Sequence, residues 1–383
     1  MTEPTARPVA ASAIDDPLAM RQAGRELLSL ALIDARNRLL ARLAEEESPA
    51  ALRLAAHAGW FQERWIARNL QRLRGEAADP GAAPLAGIEP AAERWLEPSA
   101  APPDSEALRA YLCETLETTL ALLAQADEDD AGLYFYRVAL LHEDRLAEAL
   151  VERRRAAAPV ARAEREAIWL PARRWRLGSE RGSGFVPHNE RWAHEVAVPE
   201  FEIDAQPVSW RRYIEFAEDG GYDRRTWWSE EGWAWLQAGA RRAPLGVEQF
   251  AGGVLIERGG RLQRAPADQP VTYVTYHEAE AWCRWAGRRL PTEPEWDQAA
   301  ATAASRGFVW GDVFEWVAGS ARAWPDAGAA GPACLDRIPP AGTMGVLRGA
   351  SFATCARRRS AKARRFAPRT HDTLLCGWRS CAP

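Results

Sequence analysis

No run in the 383-residue chain approaches the ~20 consecutive apolar residues that a membrane helix needs, which argues against a spanning segment. The opening MTEPTARPVAASAIDDP lacks the charged-then-apolar layout of a secretion signal; residues 1–16 read as a disordered lead-in. An excess of basic charge is also missing. Forty-nine Lys and Arg stand against 53 Asp and Glu, a net charge of −4, so no global field attracts nucleic acid. Arginine is locally dense from Arg357 to Arg369, which reads as a solvated rim. The six cysteines are scattered without a metal-type CxxC pair, which points to reduced thiols and a cytoplasmic protein. No GxxxxGK[ST], no GxGxxG and no Ser-His-Asp constellation is present, so the common phosphate-cradling and acyl-transfer chemistries have no motif here.

What is present suits two domains with ordinary cores: 47% hydrophobic and 27% charged residues. From Asp16 to about Ala156 the pattern is helical. RELLSLALIDARNRLLARLAEEE places Leu27, Leu30, Ile33 and Leu40 on one broad face. Ser48-Pro49 opens a second helix, and Asp104 to Gln125 and Asp129 to Arg155 supply two more. Residues 17–156 therefore read as a four-helix bundle, a usual place for metal ligands on facing side chains. A charged linker over 157–168 follows. Most of the 18 tryptophans fall after Trp169, so residues 169–383 should hold an aromatic-rich, loop-heavy core.

The second part is organised around PVTYVTYHEAEAWCRWAGRRLPTEPEWDQAA, residues 270–300. Val271, Tyr273 and Tyr276 suit a half-buried strand. His277 to Ala286 places Ala279, Trp282, Cys283 and Ala286 at helical spacing, and Gly287 supplies the C-cap. Thr292 with Glu295 forms a capping box that opens a further helix. Ser209 to Ala217 reads as one more helix.

RLPTEPEWDQAA, WGDVFEWVAGS, VLRGASFAT and GWRSC occur in this order, and together they resemble the C-terminal domain of formylglycine-generating enzymes. The same domain occurs in the ergothioneine sulfoxide synthases and selenoneine synthases, and the wording of LSLALIDARN and VPEFEIDAQPVSW is similar to the latter. The resemblance implies an α+β protein: a DinB-like four-helix bundle followed by a loop-rich, C-type-lectin-like domain. It also implies an O2-dependent nonheme Fe(II) reaction that joins sulfur or selenium to the imidazole of a trimethylated histidine, with a thiol or selenol as donor. In that family three bundle histidines hold the iron, one in a GHIAWFEE-like segment and two in an HxxxHxE run. Residues i and i+4 share a helix face, so two imidazoles can converge on one ion while a third arrives from a neighbouring helix.

Matched onto this chain, AAHAGWFQERW puts His57 at the first ligand position. HEDRLAE puts His142 at the second, Leu146 at the third and Glu148 at the trailing acid, which would orient a ligand imidazole. Leucine has no lone pair to donate, and the Arg145 guanidinium would repel a cation. Glu63, Glu114 or Glu117 could complete a two-histidine, one-carboxylate set. The substrate-holding Asn and aromatic of the family align with Arg365 and Phe366, where Phe366 retains a face for a trimethylammonium group; Phe366, Arg365 and Arg145 are the candidate substrate-binding residues. The family's catalytic-loop tyrosine is missing: Trp324 to Gly345 contains none. Cys355 lacks the second cysteine with which formylglycine-generating enzymes bind copper, Ser360 falling in its place. These departures lead us to expect weak or absent Fe(II) and altered or lost activity. The alternative is a non-catalytic small-molecule or partner-binding module on the same scaffold.

Overall fold

The computed structural model describes residues 13–383. The first twelve residues of the expected lead-in lie outside them. Asp16, at its end, caps helix α1 (Pro17–Arg21) by accepting the Leu18 and Ala19 N–H groups. Four long helices follow: α2 (Arg25–Glu45), α3 (Pro49–Gln62), α4 (Ser105–Leu123) and α5 (Asp130–Arg154). Their starts are where the sequence places them. Ser48, Asp104 and Asp129 each accept a first-turn N–H, and Pro49 occupies the first turn of α3. α5 packs against both α2 and α3, and α3 against α4.

The stripe expected on α2 is displaced. Leu28, Ala31, Leu32, Ala35, Leu39 and Leu43 face the core, while Leu30 and Ile33 are exposed. A helix this rich in Leu and Ala offers two overlapping i, i+3, i+4 faces, and packing against α5 selects between them.

The second part contains short sheets. Strands β1 (Ile168–Leu170) and β4 (Phe201–Ile203) pair antiparallel, as do β2 (Arg173–Leu177) and β3 (His194–Val198). Helices α6 (Trp210–Glu218) and α7 (Glu230–Gly239) precede a three-stranded sheet of β5 (Val247–Gln249), β6 (Leu255–Arg258) and β7 (Arg261–Arg264). After α8 (Tyr276–Trp285) and α9 (Glu293–Thr302) come β8 (Phe314–Val317), β9 (Gly345–Arg348), β10 (Arg364–Ala367) and β11 (Cys376–Trp378). These last four form one sheet in the order β10-β9-β8-β11, antiparallel except for β8 and β11. Trp316 on β8 and Trp378 on β11 share one buried cluster with Trp210 and Trp282, so the expected tryptophan core and α+β organisation are what the chain builds.

The expected strand over 271–276 does not form. Val271 and Tyr273 are buried, but Tyr273 takes a positive φ of 60° that breaks the extended run. A capping box between Thr275 and Glu278 then starts α8 at Tyr276. Gly287, at φ 63°, ends that helix as expected, and the Thr292–Glu295 capping box opens α9. Gly349 has φ 81°, and a Cβ there would lie 2.9 Å from the Trp296 ring, so only glycine fits where β9 turns toward the domain boundary.

Candidate functional site

α3 and α5 cross closely because α3 presents Ala55, Ala56, Ala58 and Gly59 to its neighbours. His57 and His142 meet ring to ring there, Nδ1 of His57 standing 2.8 Å from Nε2 of His142. Phe61, one turn beyond His57, lies 4.3 Å from the His142 ring, and Trp60 stands edge-on to His57. Burial pushes the His142 pKa down to about 3, with His57 and Arg145 adding to the effect. Burial likewise lowers that of His57. Both rings are therefore neutral at pH 7, and one donates its N–H to the lone pair of the other.

One turn beyond His142, Leu146 is 7% exposed and packs with Leu52, Ala55 and Leu150. The three candidate carboxylates do not approach the imidazoles. Glu63 is buried but accepts hydrogen bonds from the Tyr111 hydroxyl, at 2.5 Å, and from the Ile88 N–H. Glu114 and Glu117 are exposed on α4. The other histidines are engaged elsewhere: His188 with the Gly328 carbonyl, His194 with that of Trp192, His371 with the Thr373 hydroxyl and His277 against Trp235. Among the described residues no group of three or more His, Cys, Asp or Glu side chains is arranged to hold a metal ion.

The opposite side of α5 carries a different construction. Asp144, Glu148 and Glu152 recur every fourth residue, so they share a face, and each receives an arginine from the second part of the chain. Arg357 grips Asp144 through two bonds of 2.6 and 2.7 Å and also donates to Asp34. Arg358 donates to Glu148 at 3.0 Å, and Arg365 to Glu152 at 3.1 and 3.3 Å. Burial opposes the charge of Arg357, but Asp144 outweighs it and holds the guanidinium pKa above its usual range. Burial also works against the Glu148 charge, yet Arg358, Arg365 and the Thr354 and Ser351 hydroxyls together keep its pKa low. At Glu152 burial prevails over Arg365, and that carboxyl is raised.

The arginine-dense stretch is thus no solvated rim: Arg357 and Arg364 are 5% and 3% exposed. Excess arginine in one segment facing carboxylates four residues apart in another was the signal available in the sequence.

Glu148 accordingly does not orient a histidine. Its oxygens accept from Ser351 (2.9 Å), Thr354 and Arg358, all in the second part. Arg145 turns away to Asp336, 2.5 Å off, on the loop between β8 and β9. That tyrosine-free loop lies on the bundle, with Ala333 and Leu335 packed against the core that includes Tyr134 and Phe135. Arg365 and Phe366 alternate across β10 and are parted by it. Arg365 faces the bundle over Phe314, while Phe366 packs against the buried cluster that includes Trp296, Val317 and Val346, with the Arg364 guanidinium 4.9 Å above its ring. The aromatic face expected to take a trimethylammonium group is already covered by a cation. Cys355 is a free thiol whose pKa burial, with help from Asp144, pushes up to about 12, so it is no thiolate nucleophile.

Between the two parts lies a cleft of about 120 Å³. Met20, Leu28, Leu140, Leu141, Phe185 and Phe314 give it an apolar wall. Arg21, Arg137, Arg145, Arg357, Arg358, Arg364 and Arg365 also line it, with Asp144 and Glu190 as the acids. Neither His57 nor His142 lines this cleft.

Residues 153–312 match the sulfatase-modifying factor enzyme 1-like domain family. The hercynine oxygenase of Mycolicibacterium thermoresistibile is 31% identical over 319 residues, covering 76% of this chain and 70% of that protein. The chain belongs to the hercynine oxygenase family. The hercynine oxygenase of Mycolicibacterium smegmatis is 34% identical, covering 67% of this chain and 63% of its own length. That of Mycobacterium tuberculosis is 46% identical over 129 residues, 32% of this chain and 29% of its own length. The chain thus spans less than two thirds of these latter two relatives. No helix among the described residues is long and apolar enough to cross a membrane.

Of the three donor positions that the resemblance implies, two carry imidazoles here. Two neutral imidazoles share a hydrogen bond, and a buried leucine side chain fills the third place. A two-nitrogen set of this kind does not fit the family's Fe(II) site.

Proposed function

We propose that this chain is a hercynine oxygenase family protein in which the family's iron chemistry is altered or lost, and whose two-part scaffold serves to bind a small molecule. The family reaction would be O2-dependent C–S or C–Se bond formation on a trimethylated histidine, with a thiol or selenol donor. The observation that carries the reading is Leu146 one turn beyond His142 of the His57–His142 pair, with no third donor gathered there among the described residues. Two further departures support it: Phe366 is capped by Arg364, and the loop from Trp324 to Gly345 lacks tyrosine.

The test is metal analysis after anaerobic Fe(II) reconstitution, followed by single-turnover assays with trimethylated histidine and a thiol or a selenol. We expect iron well below one per chain and no C–S or C–Se product. One tightly held iron per chain with product formation would overturn the proposal.

A further inference from the structure

We propose that the cleft between the two parts is a binding site for a small organic anion, a carboxylate or phosphate head on an apolar body. This rests on the small-molecule-binding reading above and adds the class of ligand; neither member of the histidine pair lines the cleft.

The argument begins with which charges face the space. The guanidinium groups of Arg145, Arg358 and Arg365 line the cleft, whereas their partners Asp336, Glu148 and Glu152 do not. Those three carboxylates hold their arginines in place; Asp144 and Glu190 do line the cleft, each paired with an arginine (Arg357 and Arg21), so seven arginines stand there against two paired acids. Those supports also remove most of the side-chain entropy that binding would otherwise cost.

The next consideration is spare donor capacity. A guanidinium has five N–H donors. Among the described residues Arg358 places one hydrogen bond, to Glu148, and Arg145 places one, to Asp336. An oxyanion in the cleft is the group that would take up this spare donor capacity of Arg145 and Arg358.

The apolar wall of Met20, Leu28, Leu140 and Phe314 sets the rest of the ligand. A bare inorganic ion leaves that wall wet, while an organic anion covers it. A trimethylammonium cation would be repelled here.

Calorimetry on the full-length protein, with benzoate, phenyl phosphate, inorganic phosphate and trimethylphenylammonium as probes at matched chloride, tests the assignment. Benzoate or phenyl phosphate should bind more tightly than inorganic phosphate, and the preferred one identifies the head group. Trimethylphenylammonium should give no heat. Arg358→Gln and Arg145→Gln should each weaken the preferred anion by about tenfold, the loss of one charge-assisted hydrogen bond. Arg145 is the more exposed of the two, so its variant keeps the test valid if Arg358→Gln fails to fold. Absence of anion binding above the chloride control, equal affinity in the folded variants, or preference for the cation would overturn the proposal. Iron content measured on the same samples reports separately on the histidine pair and leaves this result unaffected.

Discussion

Arg357→Leu is the sharpest test of how the two parts are held together. Arg357 and Asp144 are each 1% exposed in their side chains, and Arg357 supplies the hydrogen bonds that the Asp144 carboxylate receives. Removing the arginine leaves a buried carboxylate without a partner, which costs about 3–5 kcal/mol. For a cooperative unit of roughly 150–250 residues each kcal/mol shifts the midpoint by about 2–4 °C, so Tm should fall by roughly 6–20 °C. The paired change Arg357→Leu/Asp144→Leu removes both charges and fills the space with apolar atoms, so it should recover most of the loss. Differential scanning calorimetry of the wild type, both single variants and the double variant closes the cycle. The Arg357–Asp34 bond is lost in both arms that lack Arg357, so it cancels in the coupling energy. A loss below about 1 kcal/mol in Arg357→Leu, the level of an exposed ion pair, would refute the claim that this pair is a dry clamp.

Installing the missing donor with Leu146→His, together with Arg145→Gln to remove the nearby positive charge, should raise iron content after reconstitution; unchanged iron would show that α3 and α5 are not arranged around the histidine pair as described. Glu148 is held below its ordinary value of 4.5 in the folded protein, so the stability it contributes is complete above pH 4.5 and is lost as pH falls through the lower folded value. Glu148→Gln should therefore flatten the acid side of the stability profile, and an unchanged slope in chemical denaturation would count against the Arg358 and hydroxyl contacts. Gly349→Ala should destabilise the protein, since its positive φ and the nearby Trp296 ring both resist a Cβ. Phe366→Ala should lower Tm by removing packing against the buried cluster that includes Trp296, Val317 and Val346, while leaving anion binding in the cleft unchanged.

The helix starts, the Gly287 cap and the α9 capping box were legible in the sequence because each is set by a few neighbouring residues whose side chains bond their own backbone. That Leu146 offers no donor was legible for a similar reason: its side chain has no lone pair whatever surrounds it. The stripe on α2 and the state of the 271–276 segment were not. Both depend on what packs against them, and local spacing fits more than one answer.

Sequence by itself determined the two-part organisation, the α+β class, and which donor types stand at the three histidine positions, because these follow from residue chemistry and short-range spacing. Only the tertiary structure decided that Asp144, Glu148 and Glu152 face Arg357, Arg358 and Arg365, that Phe366 is turned from the cleft, and that the imidazoles bond each other. Those pairings join residues more than 80 positions apart. Partners that distant meet only once apolar burial has brought the helices and sheet together, and no local pattern records which ones will face each other.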